Sequence, residues 1–388
     1  MVRDFPSARA TLTLVAIVVP VLWFGEVRPN LVEAQWPWPG HAKPFSLPSY
    51  LPGDCTFYRA ALVSLLEDGD LDLRNNVFWR VLSPDTQVAV GLRGEWYPKH
   101  PIAMAIAALP FYAVLGDRGL LLFNLAQLVV LDLLLLVAAR RFASEGVALI
   151  VAVTFALGTL LRSAAHNFSP DVFSTLLVMS GVLLLTAARP AVAGVLLGAA
   201  VGAKWTNLVF LPISMVWTVL YQGWRPALRL AIGAAPFLAA LAALNVHMFG
   251  SIWVTPYDRV GIHLLEVPRL EASHRTRFAL PFWAGLGEQI LDTRSGLLRS
   301  APPILLSVAG APLLFRRARA EAVLITVFSA AQLAIFAKYS DWMASNFGHR
   351  FLLTVVALGA VPAAALVAWL LDGLANKVST GPRSNTSG

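Results

Sequence analysis

The sequence predicts an all-α polytopic membrane protein of about ten transmembrane helices, with a long first outside loop carrying juxtamembrane helices. Three observations lead there. Hydrophobic residues make up 57% of the 388, and charged residues only 13%, where a soluble globular chain carries about 25% charge. The mean hydropathy is +0.67. Apolar runs recur along nearly the whole chain, and a bilayer core about 30 Å thick takes roughly 20 apolar residues per spanning helix. A soluble enzyme and a disordered chain are both excluded by this composition.

The N-terminal MVRDFPSARA carries Arg3 and Arg9, and the apolar run Thr11 to Gly25 follows. Trp23 and Phe24 stand where a signal peptide would carry small residues. The segment therefore reads as an uncleaved anchor with a cytoplasmic N-terminus. Residues 26–117 are expected to form the first exoplasmic loop. Within it, 102–115 is apolar but interrupted by Pro110, which suits an interfacial or half-embedded helix. The run 119–139 ends in Arg140 and Arg141 and marks the cytoplasmic side. Spans at 146–161, 172–188, 191–203, 207–221, 230–248, 301–315, 321–337 and 351–371 then alternate, and the short inside loops carry Arg189, Arg225, Arg229, Arg316, Arg317 and Arg319, as the positive-inside rule requires. This gives one transmembrane domain over 1–375 and a short polar cytoplasmic tail over 376–388. The expected location is a plasma membrane, with both termini inside and the working face outside.

The net charge is +8. Twelve of the 30 Lys and Arg fall on inside segments, and the rest load the translocated face. Membrane sorting accounts for the first group, and no nucleic-acid partner is expected. The second group suits an anion such as a phosphate at the outer surface, or simply reflects long loops that translocate regardless of charge. The one cysteine, Cys55, cannot form an internal disulfide.

Asp54 follows a Pro-Gly turn signal and precedes a pattern with Phe57, Ala61 and Leu65 on one helical face, so it reads either as a cap or as a carboxylate held above the membrane surface. Asp68, Asp70 and Asp72 invite a metal reading, but Leu73 and Trp79 stand where an EF-hand needs Gly and Glu. Lys99 and His100 open the interfacial helix, where they could meet a lipid phosphate or simply anchor the boundary. Arg162, His166, Asn167 and Asp171 lie between two spans. Tyr257, Asp258, Arg259 and His263 follow the 230–248 run. Lys338, Tyr339, Asp341, His349 and Arg350 precede the last span. Together these groups put acids, bases and aromatics on one face. Asp132 and Lys204 look intramembrane, which makes them functional candidates, although Lys204 also fits an outer turn.

The order of these segments resembles the GT-C superfamily of integral-membrane glycosyltransferases, on the side of the protein mannosyltransferases and lipid-A aminoarabinose transferases. GDCTFYRAALVSLLEDGDLDLRNN is similar to the family's G-D-E-x-x-Y region with its acidic continuation. YPKHPIAMAIAALPFY resembles the start of its juxtamembrane helix. GTLLRSAAHNFSPDVFSTLLV, GVLLGAAVGAKWTNLVFLP, NVHMFGSIWVTPY, RSGLLRSAPPILL and NFGHRFLL resemble later signatures. Two positions depart from the pattern: Cys55 stands where Glu is usual, and His349 where Pro is usual.

The resemblance implies a polyprenyl-phosphate sugar donor and an envelope glycan, lipid or protein acceptor on the outer face. It makes Asp54 the general base. Lys99, His100 and Arg350 become candidates for the donor phosphate, and Tyr58, His166, Asp171, Tyr257 and Asp341 for the sugar or acceptor pocket. No metal is expected to be obligatory, because a monophosphate leaves less charge to neutralise than a pyrophosphate. Two rivals remain: a lipid-linked-sugar flippase, for which Asp132 would be essential, and a relative that lost activity with its second carboxylate.

Overall fold

The computed structural model of the protein describes residues 5–33, 54–76, 87–262, 269–270, 278–340 and 349–379. Helix α1 (Ala8–Leu22) runs on through a π-helical turn at Trp23–Val27 and a short helix at Arg28–Glu33. Helix α2 (Asp54–Val63) belongs to the first loop, as does a hairpin of β1 (Val88–Val90) and β2 (Trp96–Pro98). The bundle follows: α3 (Ala103–Leu115), α4 (Asp117–Arg140), α5 (Glu145–Leu157), α6 (Pro170–Thr186), α7 (Pro190–Ala203), α8 (Phe210–Gln222) and α9 (Trp224–Phe249). After a small antiparallel pair, Gly261–Ile262 with Arg269–Leu270, come α10 (Phe282–Leu291), α11 (Ile304–Arg317), α12 (Arg319–Ala337) and α13 (Leu353–Ser379).

The helices fall within a few residues of the apolar runs, including the short one broken by Pro110. The count of spans is a different matter. Among the described residues, five helices are long and apolar enough to cross a membrane: Ala8–Leu31, Asp117–Arg140, Trp224–Phe249, Arg319–Ala337 and Arg350–Leu374. A sixth span results if Glu145–Leu157 and Leu160–His166, bent by 53° at their junction, are taken together. Helices α3, α6 and α7 are apolar but only 13, 17 and 14 residues long. At 1.5 Å per residue these are short for a 30 Å core, so the expected count of about ten is not reached by length.

Local sequence sets the breaks. Pro170 and Pro190 open α6 and α7 at the first helical position, where the missing N–H costs nothing. Gly116, at φ 59°, turns the chain between α3 and α4 in a backbone conformation that a side chain would strain. Helices α7 and α9 approach so closely that a Cβ on Gly194 would collide with the Leu230 carbonyl, and one on Gly233 with the Ala191 carbonyl. Small residues that let backbones touch are the usual basis of helix pairing in lipid.

The bundle has two chemically distinct ends. At one, Arg141 Nη1 donates to Glu321 Oε1 and to Thr186 Oγ1, both at 2.8 Å, and Arg317 Nη1 donates to the Phe142 carbonyl at 3.4 Å. The starts of α2, α3, α6 and α13 and the end of α7 gather at the other.

Candidate active site

Helix α2 carries Asp54 as its first residue. Both faces of the helix are occupied. Cys55, Tyr58 and Leu62 enter the main core, while Phe57, Ala60 and Ala61 pack with Leu73 and Val88. Arg59 fixes its rotation: Nε lies 2.6 Å from Asp117 Oδ1, and Nη2 donates to the Tyr112 hydroxyl at 3.2 Å. This ion pair is buried, with Asp117 1% exposed, and ties α2 to the α3–α4 turn.

The hairpin delivers the next two groups. Its register pairs Val88 with Pro98, Ala89 with Tyr97 and Val90 with Trp96, so Lys99 and His100 leave directly from its end. Asp72 Oδ1 accepts from the Trp96 amide at 3.1 Å and holds the hairpin to the preceding loop. On the other edge, Val90 N–H donates to the Arg259 carbonyl at 2.8 Å, and Ala89 bridges Val260. That edge brings the turn Pro256–Asp258 alongside, shaped by a reciprocal cap between Thr255 and Asp258. The Tyr257 hydroxyl thus lies 2.8 Å from His100 Nδ1. Tyr58 stacks on the same imidazole with ring centroids 5.3 Å apart.

Three helix ends supply the rest. Asp171 sits in the first turn of α6, and Lys204 caps the C-terminus of α7. Both charges suit the local helix dipole. Lys204 Nζ donates to Asp171 Oδ1 at 2.6 Å and lies 4.9 Å from the centre of the Phe351 ring. Arg350 opens the turn that leads into α13. Its Nη2 donates to Asp54 Oδ2 at 3.1 Å, and its Nε lies 3.9 Å from Asp171 Oδ2. His100 Nε2 is 3.7 Å from the same Asp54 Oδ2. Lys99 is buried beside the group.

Two carboxylates thus face two lysines and an arginine, Lys99, Lys204 and Arg350, with an imidazole added. Burial would raise the Asp54 carboxyl, but His100, Arg350 and Lys99 reverse that and hold it well below the usual range. Burial pushes the Cys55 thiol up to about 12 and the Tyr58 and Tyr257 phenols well above theirs. Asp54 is therefore an ionised carboxylate, and Cys55 is a neutral filler beside it.

The structure brings Asp54, Tyr58, Lys99, His100, Asp171, Tyr257 and Arg350 together. His166 goes elsewhere: its Nδ1 lies 3.2 Å from Glu26 Oε2, and Arg162 Nε lies 2.8 Å from Glu26 Oε1, a separate cluster at the end of the first span. The reason is local, since the 3-10 turn Ala164–His166 turns back toward α1 before Pro170 starts α6. Asp341 lies outside the described residues. Lys204, singled out in the sequence only as an isolated cation between apolar runs, belongs to the site. The acids of the first loop are engaged as turn formers. Asp68 accepts from Asn75 and Asn76, Asp70 from Ser64, and Asp72 from Arg74. Asp132 is buried in mid-helix, and its Oδ1 has no partner among the described residues.

An apolar cavity adjoins His100, lined by Leu71, Pro98, Ile102, Trp205, Leu241 and Met248.

No protein-family model and no curated protein matches the chain in sequence. Solved structures do match in fold. The oligosaccharyltransferase AglB of Archaeoglobus fulgidus, in complex with an inhibitory peptide and a dolichol-phosphate, superposes at a TM-score of 0.62 and 13% identity. ArnT of Cupriavidus metallidurans, bound to undecaprenyl phosphate, does so at 0.57 and 13%. Each match covers 96% of this chain, which spans 52% of the AglB chain and 64% of the ArnT chain. A further AglB structure, at 0.59 and 13%, holds Zn and sulfate. The described donors here do not fit such a cation: Asp54 and Asp171 are already bridged by Arg350, Lys204 holds Asp171 from the other side, and the adjacent thiol is neutral. No group of three His, Cys, Asp or Glu among the described residues could hold a metal ion. The architecture, with its loop helix carrying Asp54 and Arg350 in the turn before its last helix, is the fold this chain shares with AglB and ArnT.

Proposed function

We propose that the protein transfers a sugar from a polyprenyl-phosphate donor to a hydroxyl-bearing envelope acceptor at the outer face of the membrane. The observation that carries this reading is the convergence of Arg350 and His100 on Asp54, in a buried cluster with more cations than carboxylates. Such a site is built for one anion and one base. The donor phosphate is held by Arg350, Lys99 and His100. Asp54 takes the proton from the acceptor hydroxyl as its oxygen attacks the anomeric carbon. The bond from that carbon to the phosphate oxygen breaks, and polyprenyl phosphate leaves with the electron pair. The developing charge falls on Arg350, which is already oriented by Asp171 and needs no rearrangement at the moment of reaction. Attack opposite the leaving group inverts the anomeric centre. Tyr58 and Tyr257 fix the imidazole and line the sugar side.

The test uses the purified full chain in lipid nanodiscs with a panel of radiolabelled polyprenyl-phosphate sugars and an envelope extract. Label should move to an extractable acceptor, and Asp54→Asn should abolish that transfer while leaving the protein folded. Wild-type turnover in Asp54→Asn would remove the mechanism.

A further inference from the structure

Arg350 and His100 converge on one atom, Oδ2 of Asp54, which lies 3.1 Å from Arg350 Nη2 and 3.7 Å from His100 Nε2. The two sides of this contact are held very differently. Arg350 is also engaged by Asp171 at 3.9 Å, and its guanidinium lies 5.1 Å from the centre of the Phe351 ring. His100 is clamped between Tyr257, at 2.8 Å, and the face of Tyr58. Asp54 makes no other side-chain hydrogen bond among the described residues. The cations are thus fixed by third parties, and the carboxylate is fixed only by the cations.

We infer that Asp54 Oδ2 occupies the seat of a phosphate oxygen, so that the donor-free site is closed by its own base and donor binding releases it. The inference rests on the reading of the cluster as a phosphosugar site. A phosphate carries a geometry-matched pair of oxygens for a guanidinium and more charge than a carboxylate. It displaces Asp54 from Arg350, while Asp171 keeps the guanidinium aimed. Asp54 then loses the cation that held it ionised and unreactive, and it becomes a stronger base facing the acceptor. Burial, which raises its proton affinity, is no longer opposed by Arg350. The consequence is an ordered reaction. Acceptor hydroxyls meet a competent base only after the donor has bound, and an empty site does not abstract protons.

The consequence for binding is unusual, because removing the catalytic group should tighten the ligand. Binding of farnesyl phosphate, a short polyprenyl phosphate, to the full chain in nanodiscs is measured for wild type, Asp54→Asn, Arg350→Gln and the double variant. Asp54→Asn should bind about tenfold more tightly than wild type, close to 1.4 kcal/mol, while losing transfer. In the Arg350→Gln background the same substitution should give no gain. That second arm separates a displaced partner from simple removal of a negative charge, which would tighten binding in both backgrounds. Asp54→Ser serves if the Asn variant unfolds. Equal or weaker binding by the Asp54 variants, or a gain that survives without Arg350, overturns the inference and leaves the proposed activity standing. Failure of wild type and every variant to bind farnesyl phosphate removes both.

Discussion

Lys204 Nζ lies 2.6 Å from Asp171 Oδ1 at the meeting of two helix ends, the C-terminus of α7 and the N-terminus of α6. Asp171 is 3% exposed. A buried carboxylate left without its partner costs about 3–5 kcal/mol. Arg350 Nε, 3.9 Å from Asp171 Oδ2, stays in place, so Lys204→Met should lower stability by less than that amount, read as a fall in the thermal unfolding temperature in detergent. The double variant Lys204→Met, Asp171→Asn should regain most of it. Additive losses would mean that the two residues do not act as a pair.

Arg59 is expected to act at a distance of one helical turn. It touches neither the cations nor the cavity, yet its bond to Asp117 sets the rotation of α2 and hence the direction of Asp54. Arg59→Met should reduce kcat by tenfold or more with little change in donor KM, since the cations proposed to hold the donor are untouched. Asp117→Asn, which keeps a hydrogen-bond acceptor for Arg59, should retain more activity. The split between kcat and KM is the readout that a purely structural defect would not give.

Arg350→Lys keeps the charge but cannot reach two carboxylates with a planar fork. If Arg350 carries the leaving phosphate, kcat should fall on the order of 10²-fold, near 3 kcal/mol of transition-state stabilisation. Single-turnover assays with saturating donor measure it. A change confined to KM would assign Arg350 to ground-state binding only.

Much of this was legible in the sequence because each piece is marked locally. Pro and Gly punctuate the apolar runs, and Asp54, Lys99, His100 and Arg350 stand at their edges. What could not be read was which edges meet. His166 and Asp171 are five residues apart, yet Pro170 starts a new helix between them, so the histidine turns to Glu26 on the first span while the acid turns inward. Lys204 looked like a lone cation between two apolar runs, and only the crossing of α7 with α6 supplies its carboxylate. Length does not decide the span count, for a related reason. Length and hydropathy mark an apolar helix, but helices α6 and α7 are short, and nothing in composition separates a short span from a half-embedded one.

His349, immediately before Arg350, gives a pH dependence with a definite sign. It is fully buried, and burial pushes its imidazole down to about 4 from the ordinary 6.5. A base whose folded value is depressed stabilises the fold in its neutral form. That contribution is complete above pH 6.5 and is lost as pH falls toward 4. The loss is on the order of 3 kcal/mol across the window. Asp54 shares the direction but not the window: its contribution is complete above 3.8 and fades only in stronger acid. The unfolding temperature of wild type should therefore drop between pH 6.5 and 4.5, and that of His349→Gln should stay flat there. A parallel drop in both would assign the acid sensitivity to other groups.

Chelation separates this site from one built around a divalent cation. A metal that neutralises a leaving phosphate needs open carboxylate oxygens at close range. Here Arg350 stands between Asp54 and Asp171, and Lys204 takes the remaining side of Asp171. Cys55, fully buried next to Asp54, is held as a neutral thiol rather than a ligand. Under the proposed function, the Arg350 guanidinium and the Lys204 ammonium take the place that a metal would otherwise fill. Transfer should persist within about twofold after dialysis against EDTA, and added Mn²⁺ or Mg²⁺ should not raise it. Cys55→Ala should keep most of the activity, since the thiol only fills space. Cys55→Glu should lower it, because a third buried carboxylate competes with Asp54 for Arg350. A gain of activity in Cys55→Glu that depends on added metal would show that the cluster is a damaged metal site and not a cationic one.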